Sequence, residues 1–273
     1  MRLLDLLKEV VEAKTAILID GTSSAGKSMA AQILKAVPFY KATDPNQWVQ
    51  IDSDMFGGDE GEERRFKWDP PSIQGWAKGF EYGMLSGEYR KDGKKVPDNP
   101  YEKTNPYKGG DIRAWYMAQE YKTGPWKKVI FDSINDDILK YVPNVKHVLL
   151  HAPIPILLSN ISGRPKEDAR AIDMVLDQYL EKYEATTSKP SENVGDPNTI
   201  LTKSGLEELL SQHTTDQKYI DDFIKKLGVT GNGNYYIKAK NIDPNKTVLI
   251  NVDQKSRDAK VAPAKLQQMF NKI

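Results

Sequence analysis

A short stretch near the N-terminus decides the fold, because an apolar run there leads into a glycine- and serine-rich segment and then into a helical pattern. The stretch is Thr15-Ala16-Ile17-Leu18-Ile19-Asp20-Gly21-Thr22-Ser23-Ser24-Ala25-Gly26-Lys27-Ser28. Residues 15–20 predict a short buried β-strand. Apolar residues between positions 27 and 37 recur at helical spacing until Pro38 stops the pattern. The order predicted is therefore strand, glycine-rich turn and helix.

Residues 21–28 match the phosphate-binding pattern G-x-x-x-x-G-K-[ST]. Gly21 and Gly26 permit backbone angles and a close backbone approach that a Cβ atom would obstruct. Successive N–H groups can then bind phosphate oxygens, and the N-terminus of the following helix adds a partial positive charge. Lys27 can reach the β- and γ-phosphates, and the Ser28 hydroxyl is placed to ligate Mg²⁺. The predicted nucleotide contacts are Gly21, Thr22, Ser23, Ser24, Ala25, Gly26, Lys27 and Ser28.

Further apolar runs with the pattern of buried strands lie at residues 48–52, 128–132, 145–150 and 247–252. Short apolar runs separated by helical stretches are typical of parallel strands covered on both faces of an α/β sheet. Residues 3–13 predict an amphipathic helix before the first strand, and residues 264–270 predict a closing one. We therefore predict an α/β fold, with one domain spanning residues 1–273.

Two segments fit this sheet poorly and are predicted to be insertions, namely residues 57–126 and 186–246. The first is rich in aromatic residues and lysine, and the second is polar and partly helical in pattern. The aromatic residues of the first could form the core of a cap, line a small-molecule pocket, or stack on single-stranded nucleic acid. We expect a cap over one edge of the sheet, with the acceptor site a further possibility.

Acidic residues follow two of the predicted strands at their carboxyl ends, where ligands bind in open α/β sheets. Asp52 is the first candidate for the base that accepts a proton from an attacking hydroxyl group, and Asp54 is the second and a candidate substrate contact. Asp132 is the candidate that holds Mg²⁺ together with Ser28. Each of these carboxylates could instead cap the helix that follows it.

Basic residues follow the fourth predicted strand and the helical stretch after it. Arginine side chains at such a point can neutralise charge on a transferring phosphoryl group when a lid closes and excludes water. Arg164 is the candidate catalytic and nucleotide contact, and Arg170 is a second nucleotide contact. The alternative is an ordinary solvated helix start, since acids at positions 167 and 168 interrupt the run.

His147 and His151 are an i, i+4 pair of histidines, but the residues between them predict a strand. At strand spacing these side chains lie about 13 Å apart, so we do not expect a two-histidine metal site. We expect His151 to be a polar residue that closes the strand, with an approach to the nucleotide as the alternative.

Composition excludes several classes of protein. The 273 residues are 39% hydrophobic and 28% charged, which describes a globular chain rather than a disordered one. The net charge of +1 gives no support for nucleic acid as a partner, and no apolar stretch is long enough for a membrane span. The absence of cysteine excludes disulfides, thiolate zinc sites and a cysteine nucleophile. We expect a cytoplasmic protein, although lack of cysteine is also compatible with export.

Residues 19–28 resemble the loop of the chloramphenicol phosphotransferase-like P-loop kinases, and the similarity continues at residues 49–56 and 148–164. The resemblance implies a three-layer P-loop fold with a parallel sheet of order 2-3-1-4-5. It implies that Asp52 is the base and that Lys27, Ser28 and Arg164 contact nucleotide and metal. The implied activity is ATP- and Mg²⁺-dependent phosphorylation of a small-molecule hydroxyl group. The zeta-toxin group, which phosphorylates a nucleotide sugar, is similar in the same core.

Three functions follow from these observations. The first is a kinase that transfers the γ-phosphate of ATP to a hydroxyl group of an antibiotic-like molecule, a sugar or a nucleotide sugar. The second is a nucleotide-dependent switch or binding module, although the chain has no Asn-Lys-x-Asp guanine signature. The third is a polynucleotide 5′-hydroxyl kinase, which would require the 57–126 segment to be strongly basic on one face.

Overall fold

The computed structural model describes residues 14–56, 64, 67–68, 112–133, 136–163 and 171–252, together with the backbone of short strands between residues 81 and 95. The amphipathic helices predicted over residues 3–13 and 264–270 lie outside these ranges. Most of the segment over residues 57–111 also lies outside them, so the predicted cap stays a prediction there.

Strands and helices alternate along the described chain. The strands are β1 Thr15–Gly21, β2 Val37–Pro38, β3 Trp48–Asp52, β4 Glu81–Gly83, β5 Glu88–Lys91, β6 Lys94–Lys95, β7 Lys128–Asp132, β8 Lys146–His151, β9 Tyr183–Thr186, β10 Gly195–Leu201, β11 Tyr235–Ala239 and β12 Thr247–Asn251. The helices are α1 Lys27–Ile33, α2 Ile112–Thr123, α3 Ile154–Ser162, α4 Ile172–Lys182, α5 Lys203–Ser211 and α6 Gln217–Leu227. Short 3₁₀ turns occupy Phe39–Lys41, Ser53–Phe56 and Asp137–Lys140.

The central sheet has six strands in the order β12-β8-β1-β7-β3-β2. The pairs β12–β8, β3–β7 and β2–β3 are parallel. The five strands predicted from the sequence follow the order 2-3-1-4-5, which confirms the α/β fold class. The count of five is wrong by one, because Val37–Pro38 adds a strand beside β3. Proline has no N–H to donate, and an edge position tolerates it.

The strands form where the sequence has unbroken apolar runs. Leu18 and Ile19 of β1 and Val129, Ile130 and Phe131 of β7 are all completely buried. Consecutive buried residues on a strand point to opposite faces, so both faces of the sheet are covered. This burial on both faces is why the runs in the sequence are continuous rather than alternating.

The chain divides into two compact units. Unit 1 comprises Met1–Leu18 and Leu34–Val145. Its core includes an aromatic stack in which the rings of Phe39 and Phe56, and of Phe56 and Tyr116, have centroids 5.8 Å apart. Tyr116 lies on α2 and is completely buried. The C-terminal part of the predicted 57–126 insertion therefore contributes to the core of this unit.

Unit 2 comprises Ile19–Ile33 and Lys146–Ile273. Its second sheet has the order β10-β11-β9 with antiparallel pairs. Helix α6 is capped at its N-terminus by Asp216, whose side chain accepts from the Tyr219 N–H, and at its C-terminus by Gly228 with φ +99°. Most apolar side chains of α5 and α6 are buried in unit 2, and α6 packs against α4 and β9. The buried side chains are Leu206, Leu210, Ile220, Phe223, Ile224 and Leu227. Within the described ranges, no helix has the length and apolar character that a membrane crossing requires.

Two isoleucines of the second sheet of unit 2 provide a matched test of this core. Ile237 on β11 is 2% exposed, whereas Ile200 on β10 is 53% exposed. We expect Ile237→Ala to lower the free energy of unfolding by about 2–5 kcal/mol because it leaves a cavity. Ile200→Ala should lower it by less than about 1 kcal/mol. Urea unfolding of both variants measures the difference, and equal losses would contradict the packing described.

Candidate functional site

The backbone of the glycine-rich loop takes angles that few residues adopt. Gly21 has φ +152°, Ser24 has φ +69° and Gly26 has φ +99°. A Cβ atom on Gly21 would lie 2.8 Å from the backbone oxygen of Leu150 on β8. A Cβ on Gly26 would meet no atom within 4 Å, so only the backbone angle requires glycine there. The two glycines of the pattern therefore serve different needs, a close approach at position 21 and a turn at position 26.

The polar side chains of the loop gather around its own backbone. The Lys27 ammonium donates to the carbonyl oxygens of Gly21 and Thr22, at 3.1 and 3.3 Å. Within the part of the chain that the structure describes, the hydroxyl oxygens of Thr22 and Ser24 are buried and have no hydrogen-bond partner. Ser28, in the first turn of α1, is exposed. Buried hydroxyl groups are normally satisfied, so the two in this loop indicate a place for ligand oxygens or water.

Asp20, directly before the loop, is 3% exposed and has charged and polar partners in unit 2. Its Oδ1 accepts from the Lys182 ammonium at 2.7 Å and from the Gly21 N–H at 2.6 Å. Its Oδ2 accepts from His147 Nε2 at 3.2 Å. The carboxylate can only accept, so Nε2 of His147 carries a proton. Burial disfavours ionisation, but the His147 hydrogen bond and the Lys182 charge outweigh it and lower the pKa of Asp20 to about 2.

Two side chains from the helices of unit 2 also contact the loop backbone. Gln178 Oε1 on α4 accepts from the Ser23 N–H at 2.9 Å. Asn160 Nδ2 on α3 donates to the Ser24 carbonyl oxygen at 2.8 Å. Both contacts join residues far apart in sequence.

His151 closes β8 and is 1% exposed. Its Nε2 lies 3.0 Å from the Tyr179 hydroxyl and its Nδ1 lies 3.0 Å from Asn251 Oδ1. Burial lowers the pKa of His151 to about 4, which keeps the imidazole neutral at pH 7. A neutral imidazole that donates from Nδ1 accepts at Nε2, so both nitrogens are satisfied within the protein. This is the structural role expected of a polar residue that ends a strand.

The candidate acids of unit 1 lie on neighbouring strands. Asp52 on β3 and Asp132 on β7 are register partners at the carboxyl ends of a parallel pair. Asp132 is 5% exposed, and its Oδ2 accepts from Gln50 Nε2 at 3.2 Å. Asp52 is half-buried, and its Oδ1 accepts from the Asp54 N–H at 2.8 Å. The Asp52 contact is a capping interaction of the kind named as the alternative role.

Asp54 lies among the described residues, whereas the predicted lid residues Arg164 and Arg170 do not. The Asp54 side chain is 66% exposed and lies 3.4 Å from Arg113 Nη1, while the Arg113 side chain is 3% exposed. Arg164 and Arg170 lie outside the described residues, so their predicted roles stay predictions. In the described ranges, no three His, Asp or Glu side chains are grouped closely enough to hold a metal ion.

Sequence reasoning missed the polar residues that surround the loop, namely Asp20, Lys182, Gln178 and Asn160. Asp20 stands beside the loop in the sequence, but as the last residue of the apolar run it carries no sign of its partners. The other three have no signal in the sequence, because their contacts join residues separated by more than a hundred positions. In the sequence, a lysine or an amide on an amphipathic helix is indistinguishable from an ordinary surface residue, because its partner is defined only by how the helix packs.

No protein-family model matches the chain, and no curated protein matches it. Solved structures similar to it include a gluconokinase from Sinorhizobium meliloti 1021, at 11% identity, which covers 94% of this chain and 93% of that chain with a TM-score of 0.35. A sugar kinase from Janibacter sp. HTCC2649, at 14% identity, covers 80% of this chain and 96% of that chain with a TM-score of 0.32. TM-scores this low establish no shared function, and the fold rests on the strand order described above.

The close approach at position 21 predicts the effect of a single methyl group. We expect Gly21→Ala to destabilise the protein by about 2 kcal/mol or more, because it combines backbone strain with a clash against the Leu150 oxygen. Gly233→Ala is the matched control, since a Cβ there meets no atom within 4 Å. The control should be neutral or stabilising by up to about 1 kcal/mol. Urea unfolding distinguishes the two, and a neutral Gly21→Ala would contradict the loop geometry.

The ionised state of Asp20 predicts a pH dependence of stability. An unfolded aspartate has a pKa of about 3.9, above the folded value of about 2, so the unfolded state binds more protons between these values. The stabilisation is present above pH 4 and is lost as the pH falls toward 2. We expect the wild type to lose about 2 kcal/mol more across this window than Asp20→Asn.

The matched control for this measurement is Asp222→Asn, because Asp222 is exposed on α6 in the same unit. Its unfolding free energy should fall with pH as steeply as that of the wild type. Parallel curves for the wild type and Asp20→Asn between pH 4 and pH 2 would contradict the ionised, hydrogen-bonded state of Asp20.

Proposed function

We propose that the chain is an ATP-dependent kinase that transfers the γ-phosphate to a hydroxyl group of a small molecule. One observation carries this proposal. The loop after β1 has the backbone angles, the glycine-enforced approach and the buried unpaired hydroxyl groups of Thr22 and Ser24 in a single segment. A loop without a ligand role would have little reason to bury polar atoms unsatisfied.

The loop supplies the groups that a triphosphate needs. The N–H groups of Gly21, Ser23 and Ala25 already donate within the protein, to Asp20 Oδ1, Gln178 Oε1 and the Thr22 carbonyl oxygen. The Thr22 and Ser24 hydroxyls and the other N–H groups of the loop are the proposed donors for phosphate oxygens. The Lys27 ammonium lies against the loop carbonyls, so its positive charge already sits at the loop. An ammonium is a point charge with rotatable donors, and it can exchange these carbonyl contacts for phosphate oxygens.

Ser28 and Asp132 are the residues that we propose hold Mg²⁺. A serine hydroxyl and a carboxylate are hard oxygen ligands of the kind that Mg²⁺ takes in small number, with phosphate and water oxygens completing its shell. The ion, when bound, neutralises charge on the phosphate groups. Gln50 fixes one oxygen of Asp132 through the 3.2 Å hydrogen bond, which orients the carboxylate.

Asp52 is the proposed base, and Asp54 lies beside it as a proposed acceptor contact. The Asp54 N–H donates to Oδ1 of Asp52 and so fixes the orientation of the carboxylate. We propose that this carboxylate takes the proton of the acceptor hydroxyl group. Arg113, buried on α2, forms an ion pair with the Asp54 carboxylate. Arg164 and Arg170 are the proposed cationic residues that contact the nucleotide when it is bound.

The acceptor is proposed as a hydroxyl-bearing small molecule rather than a nucleic acid. The net charge of +1 offers no general attraction for a polyanion. The resemblance of residues 19–28 and 49–56 to small-molecule kinases supports the same class. Labelled ATP incubated with the protein and a metabolite pool, followed by mass analysis of the products, identifies the acceptor.

Asp52→Asn tests the assignment of the base. With the acceptor identified, we expect phosphoryl transfer to fall by a factor of about 10²–10⁴, because the amide cannot take the proton. MgATP affinity should change by less than about twofold, since the side chain is not a proposed nucleotide ligand. Asp44→Asn, on an exposed turn of the same unit, is the control and should keep full activity. Full transfer by Asp52→Asn would show that another group is the base.

A further inference from the structure

Ser24 is the residue of the loop whose conformation most needs support. Its φ of +69° lies in the left-handed region, which is unfavourable for a residue with a Cβ atom. Strained backbone of this kind persists only where the surroundings determine it. The Ser24 hydroxyl has no partner among the described residues, so its own side chain supplies no visible support.

Support comes from two side chains on either side of this strained residue. Gln178 holds the peptide N–H of Ser23, which precedes it, at 2.9 Å. Asn160 holds the carbonyl oxygen of Ser24 itself at 2.8 Å. Gln178 accepts from the peptide group before Ser23 and Asn160 donates to the peptide group after Ser24, so the two side chains hold the chain on both sides of the Ser23–Ser24 segment. Both side chains are half-buried, where a hydrogen bond meets less competition from water.

Helix α4 carries a second contact to the same segment. Gln178 and Lys182 occupy i and i+4 positions and therefore lie on one face of the helix. Lys182 binds Asp20 before the loop, while Gln178 binds Ser23 within it. The end of α4 is fixed in turn, because the Lys240 N–H donates to the Lys182 carbonyl at 2.8 Å. The helix thus holds the loop at two points.

We infer that Gln178 and Asn160 are positioning residues that hold the loop around Ser24 in the conformation that presents its donors to phosphate. This inference rests on the proposed nucleotide-binding function of the loop. Neither side chain is assigned a contact with the ligand. They act through the Ser23 N–H and the Ser24 carbonyl, and so determine where the Ser24 hydroxyl and the following N–H groups point.

Amide hydrogen exchange of the nucleotide-free protein tests the contact itself. The Ser23 N–H should exchange slowly in the wild type and at least about tenfold faster in Gln178→Met, which keeps the side-chain length but removes the acceptor. Gln178→Glu keeps an acceptor oxygen and should restore slow exchange. Gln217→Met, on an exposed face of α6, is the matched control and should leave Ser23 unchanged.

Calorimetric titration with MgATP tests the consequence. Gln178→Met and Asn160→Leu should each weaken MgATP binding by roughly five- to tenfold, the effect of one lost hydrogen bond, with Gln217→Met unchanged. Asn160→Leu keeps the result falsifiable if Gln178→Met fails to fold. Wild-type affinity in both variants would overturn the positioning role. A wild type that binds no nucleotide would overturn the proposed function instead, and Ser23 exchange unaffected by Gln178→Met would overturn the contact.

Discussion

The close contact between the backbone at position 21 and β8 is the constraint on which the loop depends. A Cβ atom at this position would lie 2.8 Å from the Leu150 oxygen, so only glycine allows the chain to pass β8 this closely. With a bulkier residue the chain would have to leave the strand at another angle, and the turn through Ser24 and Gly26 would move with it. The functional interpretation of residues 21–28 follows from this geometry, because N–H groups converge only if the turn is tight.

A polar shell in unit 2 keeps that turn in place. Asp20 is tied to Lys182 and His147, and the Nδ1 atom of His147 lies 3.1 Å from the Thr247 hydroxyl on β12. A buried charge pair of this kind adds little net stability over an apolar pair, but removal of one partner is costly. The shell therefore favours one arrangement of the loop over others. Its residues come from β8, α4 and β12, so the loop is supported by elements distant from it in sequence.

The sheet order and the loop could be predicted because both depend on local patterns. Unbroken apolar runs mark strands buried on both faces, and the spacing of Gly21, Gly26 and Lys27 marks the turn. The edge strand at Val37–Pro38 could not be predicted, because a proline after a helical pattern indicates the end of a helix and two residues are too few to show a strand pattern. The contacts of Gln178, Asn160 and Lys182 could not be predicted, since they arise when helices pack, and half-buried amides have no characteristic spacing. For Asp52, the sequence predicted both a base and a cap, and the hydrogen bond to the Asp54 N–H is consistent with either role.

The most direct measurement is a titration of the wild type and of Lys27→Met with MgATP, with Lys203→Met on the exposed start of α5 as the control. The account predicts saturable binding of one MgATP by the wild type and by the control, and an affinity at least about tenfold lower for Lys27→Met, since a charge-assisted contact to phosphate is lost. Absence of MgATP binding by the wild type, or equal affinity in all three proteins, would contradict the claim that this loop binds a triphosphate.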